Sequence, residues 1–196
     1  YKIPAVIGKA YPVIFAVPKE IEDTQETSGM LHELLGLDAV SLMSRLKNPR
    51  DLYERLVPKA DDAAVKKIKE AGLKGVYVSE ENYRYYPFGT LGSHLLGFVG
   101  LGVDGKEVGR YGIEKFYESS LAGIPSVLRG DQVEKGSSGV DVNLTIDRNI
   151  QARAEEILAS LVQDHKALSG TIIVQEPATG KILSMVSYPT FNPNSY

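Results

Sequence analysis

The sequence predicts an α+β chain. Three observations predict it: aromatic and β-branched runs that alternate with period two, amphipathic segments with a capping acid in front and a glycine behind, and a closing strand–helix–hairpin series.

Taken in order, residues 10–17 (AYPVIFAV) read as a strand closed by Pro18. Residues 23–35 read as a helix. Asp23 caps it with Glu26 three residues on, Met30, Leu31, Leu34 and Leu35 share a face, and Gly36 stops it. Asp38 opens a second short helix carrying Val40, Met43 and Leu46, ending near Asn48-Pro49. Residues 52–57 form a short strand. Residues 61–71 form a third helix, with Asp61 and Asp62 at its start and Lys66, Lys67 and Lys69 near its end, in the order that suits the helix dipole. Those lysines stand beside acids and read as a solvated face rather than a basic patch.

Residues 75–86 alternate as a strand (GVYVSEENYRYY). Tyr77, Tyr83, Tyr85 and Tyr86 suggest a stacking platform for bases or sugars, but no basic groove accompanies them, so sheet packing is the better reading. Residues 91–99 predict one or two helical turns. Residues 113–121 predict a helix with Ile113, Phe116, Tyr117 and Leu121 on one face. Residues 126–139 read as a polar linker containing Gly136-Ser137-Ser138-Gly139. Residues 140–146 (VDVNLTI) resume as a strand. Asp147 then caps a helix with Ile150, Ala154, Ile157, Leu158, Leu161 and Val162 at helical spacing up to about Asp164. Residues 171–175 and 181–188 close the chain as a hairpin through Glu176-Pro177-Ala178-Thr179-Gly180.

Composition narrows the function classes. The 196 residues are 43% hydrophobic and 24% charged, which excludes a disordered chain. A net charge of −3 argues against a strongly basic nucleic-acid binder. The absence of cysteine removes disulfides, thiol catalysis and thiolate zinc sites together. His32, His94 and His165 are too scattered in sequence to argue for a metal. The longest apolar run, residues 95–103, is nine residues with three glycines, against about 20 for a bilayer span. With no starting Met and no apolar leader, and with an abrupt finish at Tyr196, the chain reads as a piece of something longer.

One catalytic motif occurs. Ser44-Arg45-Leu46-Lys47 fits Ser-x-x-Lys, in which a lysine one helical turn away helps remove the serine proton. Its companion motifs, Ser-Asp-Asn and Lys-Thr-Gly, are missing, and two fixed positions in four arise readily by chance. Ser44 and Lys47 read as surface residues.

The second half of the chain carries six motifs in a fixed order. Arg84, Tyr86, Pro87 and Gly89 (RYYPFG) fit R-x-Y-P-x-G, and His94 to Phe98 (HLLGF) follows. Gly109, Gly112 and Glu114 (GRYGIE) fit G-x-x-G-x-E, with Leu121-Ala122-Gly123 behind. Then come LTIDRNIQ, which contains Asp147, the PATGKILSM hairpin, and YPTFNPN ending at Asn194. In this order the chain resembles the class B penicillin-binding proteins.

That resemblance implies a non-catalytic pedestal and head module over 1–139, which carries the family's dimerisation domain, and the opening of a transpeptidase domain over 140–196. It implies a parent that is a membrane-anchored serine D,D-transpeptidase, cross-linking peptidoglycan on the extracytoplasmic side and acylated by β-lactams. It implies no cofactor, no metal and no nucleic acid. The expected partners are a membrane glycan polymerase and scaffold proteins of cell elongation or division. The alternative is a stand-alone interaction domain of such a complex.

Two departures stand out. The family's R-G-x-I-x-D-R-N-G stretch is absent ahead of the first strand, and its catalytic Ser-x-x-Lys would follow Asn194, past the end of this chain. Ser44 therefore does not correspond to the nucleophile, and the chain is expected to be inactive. The motif residues read as structural: Arg84 and Glu114 are suited to a buried ion pair. Gly89, Gly109 and Gly112 are expected at turns where a side chain would obstruct the backbone, and Pro87 fixes the turn out of the tyrosine strand.

Overall fold

A computed structural model of the protein describes residues 3–48, 50–102, 107–123, 127–129, 132–134 and 137–196. It contains two compact units: Gly8–Tyr83, and Tyr1–Ile7 with Arg84–Tyr196. The division falls inside a strand, and the 139/140 boundary expected from the motifs lies within the second unit.

The first unit is built on β1 (Ile7–Ala16), α1 (Thr24–Leu35), α2 (Ala39–Leu46), β2 (Glu54–Val57), α3 (Asp62–Ala71) and β3 (Val76–Tyr85), with a 3-10 turn at Pro18–Glu20. The strands form one sheet in the order β2-β1-β3. Local chemistry sets the helices. The Asp23 carboxylate accepts the Gln25 and Glu26 N–H groups at 2.9 Å, and Asp38 and Asp61 accept Ser41 and Ala64 N–H at 2.7 Å. Each cap contributes about 1 kcal/mol. Gly36 and Gly72 end α1 and α3 in the left-handed region, at φ 69° and 58°.

Ile14, Ala16, Leu31, Leu42, Leu46, Leu56 and Ile68 form the core between this sheet and its helices. Fully burying such a leucine contributes about 1.5–3 kcal/mol. Two expected core positions are corrected. Val40 is 76% exposed, because the buried stripe of α2 is the i,i+4 pair Leu42 and Leu46, with Met43 half-buried beside it. Met30 is exposed too, while Ser28 turns inward and satisfies its hydroxyl on the Thr24 carbonyl at 2.6 Å.

The second unit contains α4 (Ser93–Leu96), β4 (Phe98–Leu101), β5 (Glu107–Tyr111), α5 (Gly112–Phe116), α6 (Glu118–Leu121), β6 (Val127–Arg129), β7 (Gln132–Glu134), α7 (Arg148–Asp164), β8 (Gly170–Gln175), β9 (Ile182–Tyr188) and a 3-10 turn at Pro193–Ser195. The pairs β4-β5, β6-β7 and β8-β9 are antiparallel. Ala154, Leu158 and Val162 of α7 pack on Val186 of β9, with Ile172 and Tyr188 alongside.

Five expectations change here. Residues 91–99 make a single helical turn and then a strand. The 126–139 stretch contains the β6-β7 hairpin; within it Ser126, Gly130, Asp131, Lys135 and Gly136 lie outside the described residues, as do Tyr1, Lys2 and Pro49. The 113–121 helix is two short helices broken at Tyr117, where ψ is 20°. Phe116 is 79% exposed, because α5 turns Glu114 inward instead. Residues 140–146 are extended but not a strand. Their ends bond elsewhere: Val140 N–H to Ser120 O, and Asp147 N–H to Leu183 O, both at 2.9 Å. Alternation alone makes no ladder without a neighbouring strand. Finally, Ile150, Ile157 and Leu161 of α7 are exposed, and its inward stripe is Gln151, Ala154, Leu158 and Val162.

Candidate functional site

The motifs at Arg84, His94, Gly109 and Phe191–Asn194 converge in the second unit, around the carboxylate of Glu114. Arg84 leaves the end of β3 and Glu114 sits in the first turn of α5. Arg84 Nε lies 3.2 Å from Glu114 Oε1 and 3.3 Å from Oε2, and its Nη2 donates to Oε2 at 3.2 Å. The Tyr86 hydroxyl donates to Glu114 Oε1 at 3.4 Å. Glu114 is 3% exposed and Tyr86 is buried.

Burial pushes the Glu114 carboxyl above the ordinary carboxylate range; Arg84 and the Tyr86 hydroxyl pull it down but do not cancel the lost solvation. The Tyr86 phenol is pushed up as well, by burial first and then by the Glu114 charge. Here the donors around Glu114 are supplied by the motifs themselves, so its acceptor capacity is spent internally.

A second ring of bonds fixes the neighbours. The Arg84 N–H donates to Glu107 Oε2 at 3.0 Å, and the Gly109 N–H donates to Glu118 Oε2 at 2.6 Å. A Cβ at Gly109 would collide with the Glu114 carbonyl, and one at Gly112 would stand 2.6 Å from both Gly97 N and Leu95 O. These two glycines permit close backbone approach. Gly89 differs: nothing lies within 4 Å of its added Cβ, and its φ of 60° is what favours glycine there. Pro87 opens that turn, closed by Gly89 N–H to Tyr86 O at 3.1 Å.

Asp147 stands apart from Glu114 as the cap of α7, accepting Asn149 and Ile150 N–H at 2.8 and 3.0 Å. Ser44 and Lys47 are exposed, Ser44 on α2 and Lys47 at its end, in the first unit.

Other residues of the cluster were not singled out from the sequence, although several lie inside the motif strings. Asn194 bonds both backbone groups of Tyr86: its Oδ1 accepts the N–H at 2.9 Å and its Nδ2 donates to the carbonyl at 3.0 Å. His94 Nε2 meets Pro189 O at 2.7 Å, and its ring stands edge-on to Phe191 at 5.1 Å. Phe98 packs on Phe191 and Tyr196. Gln151, the last residue of LTIDRNIQ, is buried and bonds Ser184, Met185 and Glu155; Glu155 in turn accepts the Gly92 N–H at 2.7 Å.

A cavity of about 720 Å³ borders the cluster, walled by Arg84, Glu114, Phe88, Leu95, Ile113 and Val142 among others, so the Arg84–Glu114 pair forms part of its wall. Among the described residues no His, Cys, Asp or Glu group is arranged to hold a metal, and no helix is long and apolar enough to cross a membrane.

The family model described as the penicillin-binding protein dimerisation domain matches residues 7–153, and the chain belongs to that family. The chain is 29% identical to stage V sporulation protein D of Bacillus subtilis over 96% of its own length and 31% of that protein's. It is 30% identical to the peptidoglycan D,D-transpeptidase FtsI of Escherichia coli, over 98% of this chain and 35% of that one. The chain thus spans about a third of the length of these curated relatives. A solved complex between penicillin-binding protein PBP2 and MreC from Helicobacter pylori shares the fold, with a TM-score of 0.74 at 20% identity, covering 97% of this chain and 40% of that one.

Proposed function

We propose that this chain is the pedestal and head of a membrane-anchored peptidoglycan D,D-transpeptidase, and that it acts as a non-catalytic scaffold that docks partners on the extracytoplasmic side. The observation that carries this reading is the spent state of Glu114: the one acid that the motifs bury is gripped by Arg84 and Tyr86, which suits a strut and not a group that acts on substrate. The motif set Arg84, Tyr86, Pro87, Gly89, Gly109, Gly112, Glu114 and Asp147 is read as structural, with 1–139 as the pedestal and head and 140–196 as the opening of the catalytic domain.

The docking half of the proposal rests on the family's name and on the PBP2 relative, whose structure holds MreC. A scaffold protein of that class and a membrane glycan polymerase are the partners proposed here. The exposed apolar residues of the head helices, Met30 on α1 and Val40 on α2, are the contact proposed for the scaffold. Co-precipitation with an MreC-class scaffold tests it. Met30→Asp and Val40→Asp are expected to abolish capture while leaving the fold intact. Capture that is unaffected by both removes the head-mediated contact.

A further inference from the structure

The helix α4 (Ser93–Leu96) is too short to hold itself. Isolated helices shorter than about 12–15 residues are marginal in water, and α4 has four. Gly92 in front of it sits in the left-handed region at φ 67° and offers no side-chain cap. What holds α4 comes from far along the chain. The buried Gly92 N–H donates to Glu155 Oε1 at 2.7 Å. That same oxygen accepts from Gln151 Nε2 at 2.9 Å. Gln151 is 2% exposed and is itself fixed by β9. Its Oε1 accepts the Met185 N–H at 2.9 Å, and its Nε2 donates to the Met185 carbonyl at 3.1 Å. Two side chains of α7 thus run as a relay from the backbone of β9 to the first turn of α4.

The residues after β9 hold the same turn. His94 Nε2 meets the Pro189 carbonyl at 2.7 Å, and the Phe191 N–H reaches the Oγ of the buried Ser93 at 3.5 Å. On its other side α4 packs against α5, the helix that carries Glu114. That contact is backbone on backbone. A Cβ at Gly97 would collide with the Tyr111 carbonyl, and one at Gly112 with Gly97 N and Leu95 O. Close packing of this kind passes a displacement on rather than absorbing it.

We propose that α4 is a coupling element. It is ordered only while α7 and β9 are in place, through the Gln151–Glu155 relay, and it seats α5 and with it the Arg84–Glu114 pair. The elements α4, α5, α7 and β9 then open as one unit, with no independent joint at the 139/140 boundary. The inference stands on these contacts alone and holds whichever partner the head docks.

The test is native-state hydrogen exchange on the full 196-residue chain, read amide by amide. In the parent, the Gly92, Leu96 and Gly97 amides are expected to exchange within about threefold of the β9 amides. Glu155→Ala is expected to speed those three about tenfold or more. The Tyr117 amide, bonded to Ile113 O at the end of α5, is expected to follow them. Glu155→Gln, which keeps the shared acceptor oxygen, is expected to stay within a few-fold of the parent. Gln151→Ala separates a relay from a local bond, because among the described residues Gln151 bonds Ser184, Met185 and Glu155 and nothing on α4. It is expected to open the α4 amides as well as Met185, and the double variant to open α4 no further than either single one. Faster exchange at Met185 alone in Gln151→Ala overturns the relay, as do additive effects in the double variant. Glu155 is half-buried, and its variants carry the test should Gln151→Ala fail to fold. Protected α4 amides in Glu155→Ala overturn the proposal, and a Tyr117 amide that stays at the parent rate overturns the seating of α5.

Discussion

The side chain of Asn194 pairs with both backbone groups of Tyr86, at 2.9 and 3.0 Å, and so fastens the residues after the β8-β9 hairpin to the segment that carries Arg84. The two residues are 108 positions apart. An amide supplies one acceptor and two donors, and this geometry uses both kinds at once.

Asn194→Ala is therefore expected to destabilise the second unit by about 1–3 kcal/mol, the cost of leaving partly buried backbone groups unpaired. Asn194→Asp is expected to do the same, since it keeps the acceptor and loses the donor. Urea unfolding of the variants checks this, and an aspartate variant as stable as the parent would show that the Nδ2 bond contributes nothing.

The ion pair is asymmetric. The Glu114 side chain is 4% exposed, while Arg84 keeps about a quarter of its side chain in solvent. Arg84→Ala strands a buried carboxylate and is expected to cost about 4–5 kcal/mol. Glu114→Ala leaves a cation that water still reaches and is expected to cost about 3 kcal/mol. The reverse order in thermal or urea unfolding would contradict the burial argument.

Glu114 also sets a pH dependence. Its folded value lies above the ordinary 4.5, so the native state keeps this proton when the unfolded chain has lost it. The stability of the parent relative to Glu114→Gln is thus fullest below about pH 4.5 and declines as pH rises through the folded value. Unfolding curves of the two proteins across that range measure the difference. A difference that grows with pH would mean that Arg84 outweighs burial.

Glycine substitutions separate two causes. Gly112→Ala meets backbone atoms at 2.6 Å and has no flexible neighbour to displace, so loss of the second unit's native packing is expected. Gly89→Ala meets open space and bears only its left-handed backbone, expected to cost about 1–2 kcal/mol. Near-ultraviolet circular dichroism distinguishes the outcomes.

What was legible in the sequence was what local chemistry decides. Asp23, Asp38, Asp61 and Asp147 announce their helices because a cap acts within three residues, and Gly36 and Gly72 end theirs by backbone conformation alone. The Arg84–Glu114 pair was legible through motif order, not through spacing. Residues 140–146 were misread because a strand is made by its neighbour, and alternation says nothing about whether one is there. Phe116 was misread because a buried carboxylate turned α5 away from its apolar face. Asn194 lay inside a recognised motif, yet its partner is a backbone, which leaves no side-chain signal at all.

Labelling with a fluorescent penicillin is the most direct test of whether this chain is a scaffold and not a catalyst. Incubated with the 196-residue chain, the reagent is expected to leave no covalent label. A covalent adduct, above all one lost in Ser44→Ala, would place a nucleophile in the head and contradict the scaffold reading.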